Sequence, residues 1–535
     1  MIEKEFNLLY EPWILVMKPN GETEEVSLME LFQGASKWQG LAGELPTQDV
    51  AVLRLLLAIL HAVFARYDPD GNYAPITSPT EALSRWKGIW DKGEFPMEII
   101  GDYLKHYEDR FYLFHSERPF YQVAGLEKHK KAAKYTAAKL NGIICQSGSE
   151  PFKPQKARLF PQRTGDSLWT LRYSEAARWL LHINAFDDVS GSGKGRGEKK
   201  RSKYELGWLG KLGLIAAIGG NLFETLLLNL IFLKDENELW GKEEPIWEVE
   251  TVKTDEGVEI TIPDNPSGLL TIQSRRLLLE RQNGLVIGYY LLGGDYFTEE
   301  NAYNEQMTLW LDISKKDEQP KHVPRRHDSA RQIWRDFSVL VGQSEGGRPP
   351  GIIKWLSKLK SNNAIEKKHF RFQTAAVRYD SKNCSIEDVF SDTLSFNAAL
   401  LTKLGEDWVS NIIDELKITS RLVEEVGFLA RNLAKASGDS DGSSESRIAR
   451  EQAYFRLDEP FRQWLAEIDP KQDSMNETCL RWWEKAQGIV RGFGRELLDQ
   501  AGPSAFVGHN GYIGPRVYNY FLSRTSNREI LARKE

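Results

Sequence analysis

Residues 408–436 read WVSNIIDELKITSRLVEEVGFLARNLAKA, a stretch with the hydrophobic period of an amphipathic α-helix. Apolar residues recur every three or four positions, which places them on one face of a helix. The predicted buried stripe comprises Leu416, Leu422, Val423, Val426, Leu429 and Leu433. Because a helix with one apolar face needs other elements to cover that face, we expect a helical bundle in this part of the chain.

The sequence after this helix predicts its partners. A polar hinge rich in glycine and serine, SGDSDGSSES, occupies residues 437–446. Three further helical runs follow at about 447–468, 474–501 and 511–533. Four amphipathic helices joined by short polar connections make a four-helix bundle. We assign this bundle to a C-terminal domain at residues 385–535.

The N-terminal part of the chain mixes helical and strand patterns. Residues 50–67, VAVLRLLLAILHAVFARY, are apolar on nearly every face, which is typical of a helix buried in a large core. A second buried helix is predicted at 221–233, NLFETLLLNLIFL. Residues 240–310 alternate in strand fashion around an Asn-Gly turn at 283–284, which predicts antiparallel sheet. The chain is therefore predicted to be an α+β protein, with a large mixed α/β domain at residues 1–384 followed by the bundle.

Length and charge restrict the class of protein. At 535 residues the chain is long enough for about two to four domains. Hydrophobic residues make up 41% and charged residues 27%, an ordinary globular composition that argues against global disorder. The formal charge of −6 excludes a chain that is basic throughout. Any contact with nucleic acid must therefore come from local basic surface.

Cysteine usage and apolar patterning indicate the compartment. Cys145, Cys384 and Cys479 lie far apart without a CxxC pair, which argues against a disulfide framework and a cysteine zinc site. The N-terminus, MIEKEFNLLYEPW, carries acidic residues where a signal peptide has a basic start. The longest apolar stretches, such as LLLNLIFL at 226–233, are shorter than the roughly 20 residues that span a bilayer. We expect a soluble, cytoplasmic protein with no membrane partner.

A glycine-rich basic stretch is the most informative feature of the sequence. Residues 187–203 read DDVSGSGKGRGEKKRSK. Glycines let backbone N–H groups approach a phosphate or a groove floor, and Lys and Arg neutralise phosphate charge. A nucleotide-binding P-loop is excluded, because Asp188 stands where the leading glycine is required and Gly195 where Ser or Thr is required. A flexible solvated linker is the alternative that the residues leave open.

A second long stretch carries basic residues without regular structure. Residues 146–168, QSGSEPFKPQKARLFPQRTGDSL, contain three prolines and no sustained period. Their basic residues include Lys153, Lys156, Arg158 and Arg163. Long loops of this kind are uncommon in compact domains and are usually functional or disordered.

Catalytic and metal-binding patterns are weak. His327-Asp328 could open an HD-type metal site for a phosphohydrolase, but such a site needs further His and Asp ligands, and the nine histidines are scattered singly. HExxH and spaced Cys/His sets are absent from the sequence. We therefore assign no catalytic residue, no metal ligand and no cofactor. Among the 16 tryptophans, Trp169, Trp179 and Trp334 lie in apolar periodic segments, so core packing is favoured over base stacking.

Several segments, in order along the chain, resemble the CasA large subunit of the type I-E CRISPR Cascade complex. They span most of the N-terminal region, whereas the bundle matches in pattern and length only. The segments are FNLLYEPWILV (6–16), LRLLLAILHAVF (53–64), FYLFHSERPFYQ (111–122), AARWLLHINAF followed by SGSGKGRG (176–197), NLFETLLLNL (221–230) and TIQSRRLLL (271–279).

The resemblance implies a mixed N-terminal domain, a C-terminal four-helix bundle and no catalytic activity. It also implies four kinds of partner: other Cascade subunits, the CRISPR guide RNA, double-stranded target DNA and the helicase-nuclease that cuts the target. In this family the large subunit inspects the short motif beside the target (the PAM) and helps to open the duplex, while base pairing with the guide reads the target. A protein–protein adaptor without DNA binding is the remaining alternative.

Site residues follow from the resemblance position by position. The glycine loop that lies against the PAM minor groove corresponds here to Ser190, Gly191, Ser192 and Gly193, with Lys194 and Arg196 in reach of flanking phosphates. The hairpin that wedges between base pairs corresponds to VRYDSKNCSIEDV (377–389), with Lys382, Asn383 and Cys384 at its tip. A lysine finger is expected after the central hairpin, but residues 295–310 contain no lysine. Residues 146–168 correspond to a loop that orders against guide RNA and backbone subunits.

Overall fold

The computed structural model describes residues 4–144, 163, 165–189, 205–235, 237–250, 257–314, 321–344, 347–528 and 531, with the backbone alone at 141–144. The chain divides into two compact units. Unit 1 comprises Met1–Ser329, Ser344–Ile365 and Phe372–Thr393. Unit 2 comprises Ala330–Gln343, Glu366–Arg371 and Leu394–Glu535. The domain boundary placed at residues 384 and 385 stays a prediction.

Helices and small sheets alternate along the described chain. The helices are α1 (Leu28–Gly34), α2 (Pro46–Phe64), α3 (Pro79–Lys92), α4 (Met97–His106), α5 (Ala137–Ile144), α6 (Tyr173–Phe186), α7 (Leu222–Leu228), α8 (Pro266–Leu270), α9 (Phe337–Leu340), α10 (Gly351–Ser361), α11 (Glu406–Ala436), α12 (Ser443–Glu467), α13 (Met475–Gln500), α14 (Gly502–Val507) and α15 (Gly514–Arg524). The strands are β1 (Lys4–Asn7), β2 (Ile14–Met17), β3 (Thr23–Val26), β4 (Gly40–Leu41), β5 (Tyr112–His115), β6 (Ala133–Thr136), β7 (Ile215–Ile218), β8 (Arg275–Gln282), β9 (Leu285–Gly293), β10 (Trp310–Asp312), β11 (His322–Pro324), β12 (His369–Tyr379) and β13 (Ile386–Asn397). The predicted α+β fold class is confirmed.

The strands form small sheets rather than one large sheet. Among the described residues, two sheets are two-stranded, β1-β5 and β10-β11, and three are three-stranded, in the orders β3-β2-β4, β6-β9-β8 and β13-β12-β7. In the β8-β9 hairpin, Asn283 and Gly284 have φ angles of 51° and 75°, the left-handed values that a two-residue hairpin turn requires. The antiparallel hairpin predicted around this Asn-Gly turn is confirmed.

Helix α2 is the central core helix of unit 1. Pro46 is its first residue, where the missing N–H breaks no helical hydrogen bond. The guanidinium of Arg54 donates to both carboxylate oxygens of Glu305, at 2.8 and 3.1 Å, so the helix buries its one arginine as an ion pair. The helix is long and apolar enough to cross a membrane, but 89% of its 18-residue apolar stretch is buried inside the protein. We interpret it as the core helix that the sequence predicts.

The second predicted buried helix is shorter than expected. Helix α7 ends at Leu228, so the helix predicted over 221–233 is wrong beyond that residue. The cause is Asn229, whose Nδ2 donates to the carbonyls of Ala217 and Thr225, both at 2.7 Å, and whose Oδ1 accepts from the N–H of Ala217 at 3.0 Å. Residues 230–233 stay buried without being helical. Apolar patterning predicted their burial and not their backbone.

Unit 2 contains the helical bundle. The stripe predicted on α11 is buried, with Leu416 at 7% exposure and Leu422 at 0% as its extremes. Helix α11 packs against α12, α13 and α15. The final helix is shorter than the predicted run at 511–533, because α15 ends at Arg524.

Aromatic residues fill much of the core, with one exception to the prediction. Trp179 and Trp334 are fully buried, as predicted, but Trp169 is 52% exposed, so its predicted core position is wrong. Trp169 follows the short 3-10 helix Gly165–Leu168 rather than lying within a longer helix. An apolar neighbourhood in the sequence did not distinguish this turn from a buried element.

Candidate functional site

The β12-β13 hairpin ends in a tightly bonded turn, which we call the hairpin tip (residues 380–385). The carboxylate of Asp380 accepts the backbone N–H of Lys382 at 3.2 Å and that of Cys384 at 2.7 Å. Asn383 adopts a φ of 55°, a left-handed conformation that asparagine tolerates better than most residues. The turn leaves Lys382 and Cys384 exposed and Asn383 partly exposed. The tip is thus preorganised by its own backbone and presents its side chains outward.

The glycine loop begins beside this tip. Ser190, Gly191, Ser192, Gly193, Lys194 and Arg196 lie outside the described residues. The residue immediately before them, Val189, donates its backbone N–H to the carbonyl of Asn383 at 2.9 Å. Two stretches that the sequence singled out separately are therefore joined by a main-chain hydrogen bond at the point where the loop leaves the described fold.

Buried Arg275 holds together the two chain ends that flank the loop, which we call the neck (residues 187–189 and 205–207). Its Nη2 donates to the carbonyls of Asp187, Asp188 and Glu205, at 3.1, 3.1 and 2.8 Å. Its Nε donates to the carboxylate of Asp187 at 2.9 Å. Arg275 is 2% exposed, so these contacts are desolvated. One guanidinium therefore bonds the segment before the loop and the segment after it.

Further buried contacts tie the neck to the helix before it. The N–H of Gly207 donates to the carbonyl of Asp187 at 3.0 Å. A Cβ on Gly207 would lie 2.4 Å from the carbonyl oxygen of Ala185, so this close approach needs glycine. Burial by itself would lower the pKa of the Lys139 ammonium, but the charges of Asp187 and Asp188 outweigh it and raise that pKa. The neck is a charged, buried cluster.

Tyr379 connects the hairpin to the same region. Its hydroxyl donates to the carbonyl of Phe186, the last residue of α6, at 2.7 Å. Burial raises the pKa of this phenol, so it remains a donor at neutral pH. Since Tyr379 ends β12, the hairpin and the neck share a buried anchor close to the tip.

The second predicted basic loop is described at one position only. Lys153, Lys156 and Arg158 lie outside the described residues. Arg163 is described, and its guanidinium pairs with Glu175 at 3.1 Å with 17% of its side chain exposed. Burial by itself would raise the pKa of Glu175, but hydrogen bonds from the Arg172 backbone and from Arg163 lower it. A contact of Arg163 with RNA stays a prediction, and it would have to compete with this ion pair.

The His327-Asp328 pair gains no geometric support as a metal centre. His327 places its Nε2 2.8 Å from the carbonyl oxygen of Leu214. Over the part of the chain that the structure describes, no group of three or more His, Cys, Asp or Glu residues is arranged to hold a metal ion. The phosphohydrolase interpretation therefore rests on the dipeptide alone.

Sequence reasoning missed Arg275, Asp380 and Tyr379 as residues that build this site. A signal for Arg275 was present, because TIQSRRLLL places an arginine at the start of an apolar strand. A charged residue in such a position is buried only when it is paired. The pairing partners lie far away in the chain, so the sequence by itself does not name them.

Comparisons with known proteins agree on one family. The family model described as CRISPR-associated protein Cse1 matches residues 7–492. A CasA/Cse1 protein of Thermus thermophilus is 29% identical over 439 residues, which cover 81% of this chain and 78% of that protein. The crystal structure of Thermobifida fusca Cse1 matches with a TM-score of 0.83 and 28% identity, over 99% of both chains.

A more distant match shows the fold only. A chain from a CRISPR RNA-guided surveillance complex has a TM-score of 0.66 and 18% identity, over 93% of this chain and 100% of that chain. The resemblance stated from the sequence is confirmed by the family model and by the nearer relatives.

Proposed function

Because the chain belongs to the CRISPR-associated protein Cse1 family, we propose that it recognises the PAM in double-stranded DNA and helps to open the duplex as the non-catalytic large subunit of Cascade. The observation that carries this proposal is the hydrogen bond from Val189 to Asn383, which joins the start of the glycine loop to the hairpin tip. A groove-binding loop and a strand-separating tip must act on adjacent base pairs, so they must lie side by side.

The proposed groove contact rests on the chemistry of the loop. Ser190, Gly191, Ser192 and Gly193 carry little or no side chain, so their backbone fits a narrow minor groove. Lys194 and Arg196 follow at once and supply charge for the flanking phosphates. The Arg275 neck supports this role, because a loop with fixed ends loses less conformational entropy when it binds.

The proposed wedge is the hairpin tip. Asp380 and the left-handed Asn383 hold the turn closed, so it can press against a base pair without first ordering itself. The Lys382 side chain is exposed beside the wedge and can contact a phosphate of the separating strands.

The proposed partners are other Cascade subunits, the CRISPR guide RNA, double-stranded target DNA and a helicase-nuclease. The acidic net charge of −6 supports DNA recognition by the assembled complex rather than by bulk attraction to this chain. Lys153, Lys156, Arg158 and Arg163 are the proposed contacts for guide RNA or backbone subunits. We place the complex in the cytoplasm.

The glycine loop is tested by adding side chains and charge to it in the assembled complex. Gly191→Asp with Gly193→Asp should weaken PAM-dependent duplex binding at fixed salt, because the two carboxylates enter the groove beside phosphates. The matched control is Gly488→Asp with Gly492→Asp, which adds the same charge on α13 where neither new Cβ meets another atom within 4 Å. Equal affinities of the two double variants would remove the loop from the proposal.

The wedge is tested separately from binding. Lys382→Ala with Asn383→Ala should reduce permanganate reactivity of the unpaired thymines next to the PAM, while initial duplex binding changes less. A variant that binds and opens DNA like the parent protein would exclude the tip as the wedge. If the complex shows no DNA affinity at any salt concentration, the adaptor interpretation replaces the proposal.

A further inference from the structure

Unit 1 contains a cavity of about 310 Å³ that is separate from the glycine loop, the neck and the hairpin tip. Two of the segments that carry the family resemblance line it. FYLFHSERPFYQ (111–122) contributes Arg118 and the residues that follow it, and TIQSRRLLL (271–279) contributes Gln273. Arg110 lies on the same cavity. The proposed DNA contacts use none of these residues, so the cavity calls for an explanation of its own.

Two arginines face this cavity without a hydrogen-bonded or ion-paired partner in the described part of the chain. Over the described residues, the guanidinium groups of Arg110 and Arg118 make neither a hydrogen bond nor an ion pair. Burial lowers the pKa of Arg110, and the nearby positive charge of Arg118 lowers it further, which together outweigh the opposite effect of the Asp109 and Glu250 carboxylates. Two neighbouring cations with unused donors favour an anion between them.

The turn that carries Arg118 is held by hydrogen bonds to the buried imidazole of His115. The Nδ1 atom of buried His115 accepts the backbone N–H groups of Glu117 and Arg118, both at 3.0 Å. On the far side, Gln122 donates to the carbonyl of Leu113 at 2.7 Å and accepts the N–H of Leu279 at 2.8 Å. The segment is therefore fixed against β5 and β8 before any ligand binds.

A buried polar atom in the wall also lacks a partner. Gln273 is 4% exposed, and its Oε1 makes no hydrogen bond within the described chain. Buried amides are nearly always hydrogen-bonded, so rotation of the Gln273 side chain toward the cavity it lines would let a ligand bind an oxygen that has no partner in the described chain. Because the oxygen and nitrogen of such an amide exchange by a half-turn, Gln273 can present either an acceptor or a donor.

The remaining lining residues restrict the ligand. Glu117 and Glu250 are exposed and lie on the same cavity; neither forms an ion pair with Arg110 or Arg118 in the described chain, although the charge of Glu250 acts on Arg110. A ligand must therefore bind the arginines better than a single carboxylate does, which favours the dianionic charge and several oxygens of a phosphomonoester. The buried rings of Phe120, Tyr121 and Trp247 form an apolar wall, and the volume is at the small end of ligand sites.

We propose that this cavity is a binding site for a nucleoside monophosphate, with the phosphate on Arg110 and Arg118, the base or ribose hydrogen-bonded to Gln273, and the nucleoside against the aromatic wall. The site is independent of the proposed DNA function, because it shares no residue with the glycine loop or the hairpin tip.

The test is isothermal titration calorimetry on the full chain with AMP, GMP, CMP and UMP, the four free nucleosides, and inorganic phosphate. At least one monophosphate should bind at least tenfold more tightly than its nucleoside and than phosphate. Arg118→Gln and Arg110→Gln should each weaken it at least tenfold, whereas Arg516→Gln, an exposed and unpaired arginine of α15 in the described chain, should not. Glu250→Gln should tighten binding, because it removes a competing negative charge.

Several outcomes would overturn the site. They are the absence of binding by every monophosphate at millimolar concentration, equal binding of nucleoside and monophosphate, inorganic phosphate binding as tightly as the monophosphates, and equal affinities of the Arg118→Gln and Arg516→Gln variants. Arg118 is exposed, so its variant is expected to fold even where Arg110→Gln does not, and circular dichroism checks this.

Discussion

Replacing Arg275 by Met should open the neck without unfolding unit 1. Met keeps an unbranched apolar stem but is shorter and removes every donor, so four backbone carbonyls and the Asp187 carboxylate lose a partner in a desolvated place. Breaking a buried ion pair on one side costs about 3–5 kcal/mol. The ammonium of Lys139 lies 3.7 Å from the Asp187 carboxylate and can balance part of its charge. We therefore expect a cost of about 3 kcal/mol.

Hydrogen exchange of single amides measures this opening. The N–H of Val189 donates to Asn383 and that of Gly207 to Asp187, so both amides report on the neck. If opening becomes about 3 kcal/mol easier, these two amides should exchange roughly 100-fold faster. PAM-dependent DNA binding by the complex should weaken in parallel. Arg275→Lys should accelerate exchange of these two amides less than Arg275→Met does, because lysine keeps the positive charge but cannot donate to several carbonyls at once.

Arg178→Met is the matched control, since Arg178 is as buried as Arg275, and its partners, the Trp13 carbonyl and the Glu25 and Glu44 carboxylates, lie outside the neck. It should lower the thermal stability of unit 1 without selectively exposing Val189 and Gly207. Equal loss of protection across unit 1 in both variants, or unchanged exchange at the two reporter amides in Arg275→Met, would refute the reasoning about the neck.

Three further predictions concern unit 1. Burial raises the pKa of Glu243 to about 7, so between about pH 4.5 and 7 the folded state keeps a proton that the unfolded state releases. The free energy of unfolding should therefore fall by up to about 3 kcal/mol as the pH rises through this range. Glu243→Gln should remove this pH dependence in denaturation experiments, whereas Glu244→Gln should not. Tyr379→Phe should lower the free energy of unfolding by about 1–3 kcal/mol in urea titrations, because the buried carbonyl of Phe186 loses its donor; an unchanged midpoint would contradict the anchor. Gly207→Ala should lower the melting temperature, because its new Cβ would lie 2.4 Å from the carbonyl oxygen of Ala185. Gly40→Ala should leave the melting temperature unchanged, because its Cβ would have no neighbouring atom within 4 Å.

Local pattern predicted those parts of the fold whose structure depends on neighbours in sequence. The apolar stripe of α11 is buried as expected, because a helical period places residues three and four apart on one face in any context. The turn at Asn283 and Gly284 forms because these residues adopt left-handed conformations more easily than others. Local pattern gave the wrong result at Trp169, which follows a short turn and is exposed. It also gave the wrong result after Leu228, where the side-chain hydrogen bonds of Asn229 end the helix.

The candidate site divides in the same way. The amino-acid sequence by itself determined that one loop is poor in side chains and rich in positive charge, and that a second segment makes a hairpin, since both properties belong to contiguous residues. Only the tertiary structure decided that Val189 bonds Asn383 and that one guanidinium, Arg275, closes the neck. The physical reason is that hydrogen bonds between distant segments depend on how the whole unit packs, and no local period or propensity encodes which donor meets which acceptor.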